Sequence, residues 1–339
     1  MKGSQSQLTT DVVIIGAGPV GLFSIFECGM MKLKTHVIDT LTEVGGQCIA
    51  LYPEKPIYDI PGHPKILAVD LIENLKKQAE PFDPVYHLDQ QVTHLEKRNS
   101  GWKIRTSKNT SIECKAVIIA AGAGAFGPNR PPLDNIEKYE NKNVFYFVKN
   151  KEIFRNKKLV IAGGGDSAVD WALNLVDIAK HITVVHRRPK FRAAMENVSK
   201  LYELSKEGRI DLAIPYQLDS LHGDEVLHAI GLKTLEGQEK RVEADALLAL
   251  FGLSMNLGPL AEWGLGLEKS HITVDIGTYQ TSARGIFAIG DVATYPTKQK
   301  LILTGFSEAA SAAHEIRSII YPGEVFHFQY STTQGIPGK

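Results

Sequence analysis

VVIIGAGPVGL, residues 12–22, is the stretch that decides the fold of this chain. A Val/Ile run typical of a buried parallel strand passes into a glycine-rich turn and then into an apolar pattern with helical spacing. Gly16 permits the tight turn, Gly18 lets the backbone approach a pyrophosphate, and Gly21 lets the helix pack on the strand. The segment therefore predicts a dinucleotide site, with the pyrophosphate at the positive end of the helix.

A second segment of the same kind, LVIAGGGDSAVDWA, occupies residues 159–172. Gly163 and Gly165 take the first two glycine positions, and the small residue Ala168 takes the third. Ser167 lies in the same turn and is assigned to the same ligand. One such segment can also be a glycine-rich turn without a ligand, but two copies in the same context make that alternative hard to sustain. We therefore expect an α/β chain with two Rossmann-like dinucleotide-binding domains.

The end of the next strand distinguishes the two ligands. KTHVIDT places Asp39 roughly 20 residues after the first turn, where an acid accepts hydrogen bonds from ribose hydroxyls. The corresponding strand after the second turn, HITVVHRR, ends in His186, Arg187 and Arg188, with Arg192 shortly after. Guanidinium groups suit a phosphate and no acid is present at this strand end, so the second site favours NADP over NAD. A solvated basic turn is the alternative.

The composition is that of an ordinary globular protein. Of the 339 residues, 43% are hydrophobic and 22% are charged, and the length allows two domains with separate cores. The formal net charge is zero, so no general attraction to nucleic acid or anionic lipid is indicated. No apolar run approaches the length of a membrane span, and the polar start MKGSQSQLTTD lacks the core of a signal peptide. We expect a cytoplasmic protein with neither a nucleic acid nor a membrane as partner.

The cysteines do not form a recognisable site. The chain has three, Cys28, Cys48 and Cys114, which are too few for a disulfide framework and do not have metal-ligand spacing. Cys28 lies in the first helix pattern and Cys114 enters a strand, so both are expected to be core thiols. No metal is expected.

The order of the predicted elements gives the domain plan. We expect a discontinuous first domain, residues 1–123 and 284–339, and a second domain, residues 124–283. In the first domain, the segments QQVTHLEKR and WKIRTS are separated by an Asn-Ser-Gly turn and predict a hairpin. The amphipathic pattern from Thr304 to Ile320 predicts a helix that rejoins this domain.

Taken together, the motifs resemble the two-dinucleotide-domain flavoprotein oxidoreductases. The resemblance rests on both glycine-rich turns, the HRR segment, VIIAAGA at residues 117–123 and GIFAIGDVA at residues 285–293, and it covers nearly the whole chain. It implies domains of the three-layer ββα type, with FAD in the first and NADPH in the second. It also implies that Asp291 binds the ribityl and phosphate region of FAD, for which a helix N-cap is the alternative role.

The absence of a dithiol narrows the resemblance. Thioredoxin reductases carry a Cys-x-x-Cys shortly before the second turn, where this chain reads NVFYFVKNKEIF. Glutathione-reductase-like members carry paired cysteines after GG, where this chain has GGQCIALYP with Cys48 alone. A single reactive cysteine of the oxidase type is the alternative for Cys48, and it would need a thiolate. The stretch GGQCIALYPEKPIYDIPG at residues 45–62, together with a tail ending in FHFQYSTTQG at residues 326–335, resembles the thioredoxin-reductase-like ferredoxin–NADP reductases.

That resemblance implies a set of flavin contacts beyond the glycines. Its residues are Asp39 at the adenosine ribose, Gln47 along FAD, Tyr52 on one flavin face, Val92 at the adenine, Phe126 near the flavin, Thr332 on FAD and Tyr330 on the other flavin face. No residue is required as an acid or base. His186 is accordingly interpreted as an NADPH contact.

The implied reaction is hydride transfer from NADPH to flavin N5, followed by single-electron transfers to ferredoxin or flavodoxin. The family resemblance also implies a homodimer. An acidic ferredoxin would meet a basic surface, for which the candidates are Lys149, Lys151, Arg155, Lys157 and Lys158, although a solvated charged face is an equal alternative. Two other functions stay open. One is an NADPH-dependent quinone reductase or diaphorase, and the other is a binding module that senses redox state without catalysis.

Overall fold

The computed structural model describes residues 8–124, 127–254 and 256–324, together with Gly335. The chain divides into two compact units, one formed by Met1–Phe126 with Met255–Lys339 and the other by Gly127–Ser254. Each unit has a hydrophobic core of its own.

The strands and helices follow in chain order. The strands are β1 Leu8–Ile15, β2 Thr35–Ile38, β3 Pro56–Ile57, β4 Ile66–Leu67, β5 Val85–His87, β6 Val92–Arg98, β7 Gly101–Thr106, β8 Ser111–Ile119, β9 Gly127–Pro128, β10 Val144–Phe145, β11 Lys158–Ala162, β12 His181–Val185, β13 Ile210–Ala213, β14 Gln217–His222, β15 Ala229–Lys233, β16 Glu239–Glu243, β17 Ala246–Ala249, β18 Leu253–Ser254, β19 Leu267–Glu268, β20 His271–Thr273, β21 Ile286–Ala288 and β22 Ala293–Thr294. The helices are α1 Pro19–Met30, α2 Gln47–Ala50, α3 Ala68–Ala79, α4 Asp166–Leu175, α5 Met195–Lys206 and α6 Ile302–Ile320.

The main sheet of the first unit has the order β5-β2-β1-β8-β7-β6, and β21 also pairs with β8. The pairs β5-β2, β2-β1, β1-β8 and β8-β21 are parallel, whereas β8-β7 and β7-β6 are antiparallel. The second half of β1, residues 12–15, is buried on both faces, as its apolar run VVII predicts. The predicted hairpin is therefore present as β6-β7.

The two faces of that sheet carry different layers. Val12 and Ile14 of β1 pack in a core with helices α1, α3 and α6, and α1 contacts both α3 and α6. Val13 and Ile15 point to the opposite face, as the two-residue period of a strand requires, and pack with Ile104 of β7. The helix layer, the parallel sheet and the antiparallel β layer make the three layers expected of a ββα domain.

The second unit repeats this plan. Its parallel sheet has the order β10-β17-β11-β12-β13, and a separate antiparallel sheet has the order β14-β15-β16. Val160 and Val185 of the parallel sheet share a core with Ile230 and Leu232 of β15. Helix α4 contacts α5, β11 and β12. The predicted α/β class with two Rossmann-like domains is confirmed.

The second domain boundary differs from the sequence expectation. Residues 255–283 were assigned to the second domain, but the structure groups them with the first unit. The reason is hydrophobic burial, because Leu257, Leu260 and Ile272 lie in the core behind the main sheet of the first unit. Strand β20 in this segment pairs in parallel with β22 of the same unit.

Candidate functional site

The turn between β1 and α1 lines a cavity in the first unit. Gly16 has φ +109°, and a Cβ there would lie 2.3 Å from the carbonyl oxygen of Ala120. A Cβ on Gly21 would lie 1.9 Å from the carbonyl oxygen of Gly16, so the helix packs directly on the turn. Gly18 is different, because the atom nearest its added Cβ is the Cα of Gly46 at 3.9 Å. Open space therefore remains at the α1 N-terminus, where backbone N–H groups favour an anion.

Asp39 lines the same cavity directly after β2. Its Oδ2 accepts the backbone N–H of Ala17 at 2.6 Å, and its Oδ1 accepts that of Leu41 at 2.8 Å. Burial raises the pKa of the Asp39 carboxyl, and hydrogen bonds from the backbone oppose the rise. Each carboxylate oxygen has a further lone pair, so both can still accept a hydroxyl. The carboxyl group is thus held beside the turn in a fixed orientation.

Other residues predicted for FAD meet in this cavity, whose volume is about 270 Å³. Its lining includes Gly16, Gly18, Asp39, Gln47, Tyr52, Val92 and Asp291. Gly21 lies below the turn and contributes packing only. Phe126, Tyr330 and Thr332 lie outside the described residues, so their roles stay predictions.

Cys48 lies in this cavity as a buried thiol, not as a thiolate. Burial raises its pKa to about 11, opposed weakly by the contact between Cys48 Sγ and Tyr52 Oη, which lie 3.9 Å apart. Cys28 and Cys114 are also free and buried, and burial raises the pKa of both. These are all the cysteines of the chain. The reactive-cysteine alternative therefore has no support from the geometry, since that chemistry needs an accessible thiolate.

Sequence reasoning missed part of the cavity lining. Gly46, Gly122 and the segment 300–302 at the start of α6 also line it. Gly46 has φ +55°, and a Cβ there would lie 2.9 Å from the Cα of Gly18, so the two backbones face each other closely. The adjacent glycines in GGQC were the signal that could have identified Gly46.

The second glycine-rich turn lines a cavity of about 750 Å³ in the second unit. A Cβ on Gly163 would lie 2.6 Å from the carbonyl oxygen of Leu250, so this glycine packs against the end of β17. Gly165 precedes α4 and is open, with the carbonyl oxygen of Arg192 at 3.9 Å as the nearest atom to an added Cβ. This arrangement repeats the open helix N-terminus of the first unit.

The basic loop after β12 lies against the second turn. The cavity lining includes Gly163, Gly165, Ser167, His186, Arg187, Arg188 and Arg192, which are the residues predicted for NADP. The backbone N–H of Arg192 donates to the carbonyl oxygen of Gly164 at 2.7 Å, which ties the loop to the turn. Within the described residues, Arg187, Arg188 and Arg192 have no carboxylate within ion-pair distance. Their charge is therefore available to an anionic ligand.

His186 supports the loop from inside. A Cβ added to Gly164 would lie 2.0 Å from Cε1 of His186, so the imidazole ring occupies the space over that glycine. The ring also stacks on Phe191, with the two centroids 5.2 Å apart. Its Nε2 lies 3.1 Å from the carbonyl oxygen of Lys190. Burial, with the charges of the neighbouring arginines, lowers the pKa of His186, so the ring is neutral at neutral pH. The contact of His186 with NADPH stays a prediction, and its packing role is an addition to it.

The basic candidates for a ferredoxin surface are partly neutralised. Arg155 pairs with Glu152 at 2.6 Å, and Lys158 pairs with Glu243. Lys149 lies over the ring of Phe147 at 5.7 Å. The two ion pairs leave less free positive charge than the sequence suggested, whereas the ring contact leaves the charge of Lys149 in place.

Metal and membrane signals are absent from the part of the chain that the structure describes. No group of three His, Cys, Asp or Glu side chains there could hold a metal ion. No helix there is long and apolar enough to cross a membrane.

Comparison with known proteins gives matches over nearly the whole chain. The profile of the pyridine nucleotide-disulphide oxidoreductase family matches residues 10–315. The ferredoxin–NADP reductase of Paramagnetospirillum magneticum is 55% identical over 334 residues, which cover 98% of this chain and 99% of that protein. The ferredoxin–NADP reductase of Acidiphilium cryptum is 58% identical over 333 residues, with 98% of each chain covered.

Solved structures agree with the fold. A thioredoxin reductase of Lactococcus lactis, in its FR conformation, superimposes with a TM-score of 0.79 at 26% identity, covering 92% of this chain and 99% of that one. The thioredoxin reductase of T. acidophilum gives a TM-score of 0.78 at 23% identity, with 92% and 99% covered, and this likeness concerns the fold alone.

Proposed function

The chain belongs to the pyridine nucleotide-disulphide oxidoreductase family and, within it, to the ferredoxin–NADP reductases, and from this premise we propose how its residues serve the transfer of electrons between NADPH and ferredoxin. Its cofactors are FAD and NADP(H). A bound FAD supplies the redox chemistry, since a flavin takes up a hydride and can release electrons singly. The protein binds the two cofactors, orients them and shields them from solvent.

The first cavity fits the pyrophosphate of FAD on steric grounds. Gly18 and Gly46 leave no side chain at the α1 N-terminus, and a Cβ at Gly46 would meet the Cα of Gly18 at 2.9 Å. We assign the α1 N–H groups to the pyrophosphate and Asp39 to the adenosine ribose. Gln47, Tyr52 and Asp291 are assigned to the flavin half.

The second cavity fits NADP(H) by its charge. Gly165 and the α4 N-terminus are assigned to the pyrophosphate, because the space over Gly165 is open. Arg187, Arg188 and Arg192 are assigned to the 2′-phosphate, because guanidinium groups bind a phosphate with several charge-assisted hydrogen bonds. The observation that carries the assignment of the two ligands is the difference in charge between the cavities, because the second is lined by Arg187, Arg188 and Arg192 and the first by the carboxyl group of Asp39.

The acceptor of the electrons lies outside the chain. Cys28, Cys48 and Cys114 are free, buried and protonated at neutral pH, so the residues offer no thiol relay. This supports direct electron transfer to ferredoxin. Flavodoxin as a second acceptor and a homodimer complete the proposal and rest on the family resemblance. A cytoplasmic location without membrane or nucleic-acid partners is also part of it and rests on the zero net charge and the apolar pattern of the sequence.

Anaerobic stopped-flow tests the proposal. The flavin absorbance of the purified protein is followed while NADPH and then oxidised ferredoxin are added. Rapid bleaching by NADPH followed by ferredoxin-dependent reoxidation is expected. Bleaching that ferredoxin does not reverse but a quinone does would identify the alternative, a quinone reductase or diaphorase. Failure of bound NADPH to bleach the flavin would identify a binding module.

A further inference from the structure

A buried carboxylate holds the turn that carries Asp291. Glu308 lies in α6 and is 0% exposed. Its Oε2 accepts the backbone N–H of Gly290 at 2.6 Å. Its Oε1 accepts the hydroxyl of Tyr295 at 2.6 Å and the ammonium of Lys298. An ionisable group in such a position is costly to bury unless every partner is in place, so these contacts need an explanation.

The contact with Gly290 fixes a short turn. Gly290 has φ +71° and begins a 3₁₀ turn, Gly290–Val292, one residue after the end of β21. The first N–H groups of such a turn have no acceptor inside it. Glu308 supplies that acceptor from another element, and the next residue, Asp291, lines the FAD cavity. The carboxylate therefore acts on the backbone that orients Asp291.

Lys298 balances the charge of Glu308. Its side chain is 6% exposed, and its Nζ also lies 5.2 Å from the ring centroid of Tyr295. The pair is neutral as a unit, so the turn gains an acceptor without a second uncompensated negative charge near Asp291. Removal of Glu308 or Lys298 alone would leave the other side chain as an unpaired buried charge. A single variant would therefore report the cost of that charge together with any effect on the turn.

We infer that Glu308 is a positioning residue for FAD binding, which acts through the Gly290 N–H to hold Asp291 toward the cavity. This inference rests on the proposed function, in which that cavity holds FAD. The carboxylate need not touch the cofactor, because its effect passes through one backbone hydrogen bond.

Two double variants separate the hydrogen bond from the ion pair. Glu308→Gln/Lys298→Met removes both charges and keeps an acceptor for the Gly290 N–H. Glu308→Leu/Lys298→Met removes both charges and the acceptor, at similar volume. Replacement of a buried ion pair by apolar groups is often neutral for stability, so both variants are expected to fold. The Tyr295 hydroxyl keeps its interaction with Tyr279 in both.

FAD binding to the apoproteins is the readout, measured by quenching of FAD fluorescence. The Gln/Met variant is expected to bind within about twofold of the wild type, and the Leu/Met variant about tenfold or more weakly, as loss of a buried hydrogen bond predicts. NADP⁺ affinity should be equal in all three, because the second unit is unaltered. Equal FAD affinity of the two variants would overturn the inference. A wild-type apoprotein that binds NADP⁺ but not FAD would instead refute the proposed function, and this inference with it.

Thermal unfolding of the apoproteins checks that the comparison is valid. If the Leu/Met variant does not fold, the variant Glu308→Met/Lys298→Met replaces it in the test. That variant also lacks an acceptor for the Gly290 N–H, and it fills the space with a more flexible side chain. That variant is expected to show the same weakened FAD binding. FAD affinity equal to that of the Gln/Met variant would again overturn the inference.

Discussion

Three arginines that line the second cavity, Arg187, Arg188 and Arg192, have no carboxylate partner in the described chain, and we propose that they determine which nicotinamide cofactor the second unit prefers. We predict that Arg187→Ala and Arg188→Ala weaken NADPH binding about tenfold or more while leaving NADH binding nearly unchanged, because only NADPH carries the 2′-phosphate. Dissociation constants for both cofactors, measured by titration, test this. Arg209→Ala is the matched control, since Arg209 is ion-paired with Asp177 away from the cavity lining. Equal losses for NADPH and NADH would remove the phosphate assignment.

A histidine pair in the first unit links stability to pH. Nδ1 of His36 lies 3.0 Å from Nε2 of His87, on neighbouring strands β2 and β5. Burial lowers the pKa of both rings, and the charge of His87 lowers that of His36 further. Below about pH 6.5 the unfolded chain therefore binds more protons at these rings than the folded chain does. Their contribution to stability falls as the pH is lowered from that value towards the folded pKa values.

We predict that His36→Gln reduces this loss of stability. The difference in unfolding temperature between pH 7 and pH 5 should be smaller in the variant than in the wild type, because one of the two titrating rings is gone. Thermal unfolding across that range measures it. His94→Gln is the control, since His94 is an exposed histidine of β6. Identical pH dependence in the wild type and His36→Gln would contradict the prediction.

Single residues differ in how far the sequence could identify them. The position of Asp39 beside the first turn was predictable because it is set by the spacing from that turn and by the strand end, which are both local, whereas its contact with a ribose stays a prediction. Glu308 was not, because its partner Gly290 lies 18 residues away along the chain, and a glutamate in an amphipathic helix is usually solvated. The difference is between contacts set within one strand–turn–helix unit and contacts made by tertiary packing.

Among the elements, α1 depends on a glycine for its packing against the end of α3. A Cβ on Gly29 would lie 2.1 Å from Cδ1 of Phe82, in the short 3₁₀ turn that follows α3. We predict that Gly29→Ala lowers the free energy of unfolding by about 1–3 kcal/mol through overpacking. In a Phe82→Ala background the same change should be neutral or stabilising by up to about 1 kcal/mol, because alanine favours helix over glycine.

Denaturant unfolding of the four proteins in this cycle gives the coupling between Gly29 and Phe82. A cost of Gly29→Ala that is the same in both backgrounds would show that the Phe82 ring is not its cause.

The long periodic elements were predictable, and the short ones were not. The helix pattern that ends at Ile320 and the β6-β7 hairpin appear where their periodicity placed them. The segment 255–283 was assigned to the wrong domain because β19 and β20 have two and three residues. Strands this short show no period in hydrophobicity. Only the burial of nearby residues such as Leu257 and Leu260 shows which unit they belong to.

At the scale of the whole molecule, each unit has its own core and its own cavity. We predict that removal of FAD increases backbone hydrogen exchange in the first unit, most strongly in β1, α1 and the 290–292 turn, because a ligand stabilises the state that binds it. Exchange in Gly127–Ser254 should change little. Addition of NADP⁺ should protect β11, α4 and the 186–192 loop in the same way.

Hydrogen-exchange mass spectrometry of holo and apo protein, with and without NADP⁺, measures both effects in one series. Loss of protection throughout the second unit on FAD removal would show that the two cores are not energetically separate.

The protonated state of the three cysteine sulfurs determines how the folded protein responds to alkylation and oxidation. Alkylating reagents and peroxide attack a thiolate far more readily than a thiol. With a pKa of about 11, Cys48 is a thiolate in on the order of one molecule in ten thousand at pH 7, and burial raises the pKa of Cys114 to about 12. Iodoacetamide and mild oxidants should therefore leave the folded chain unmarked. The cysteine sulfurs of the folded chain should then need no separate reductant to return them to the thiol state.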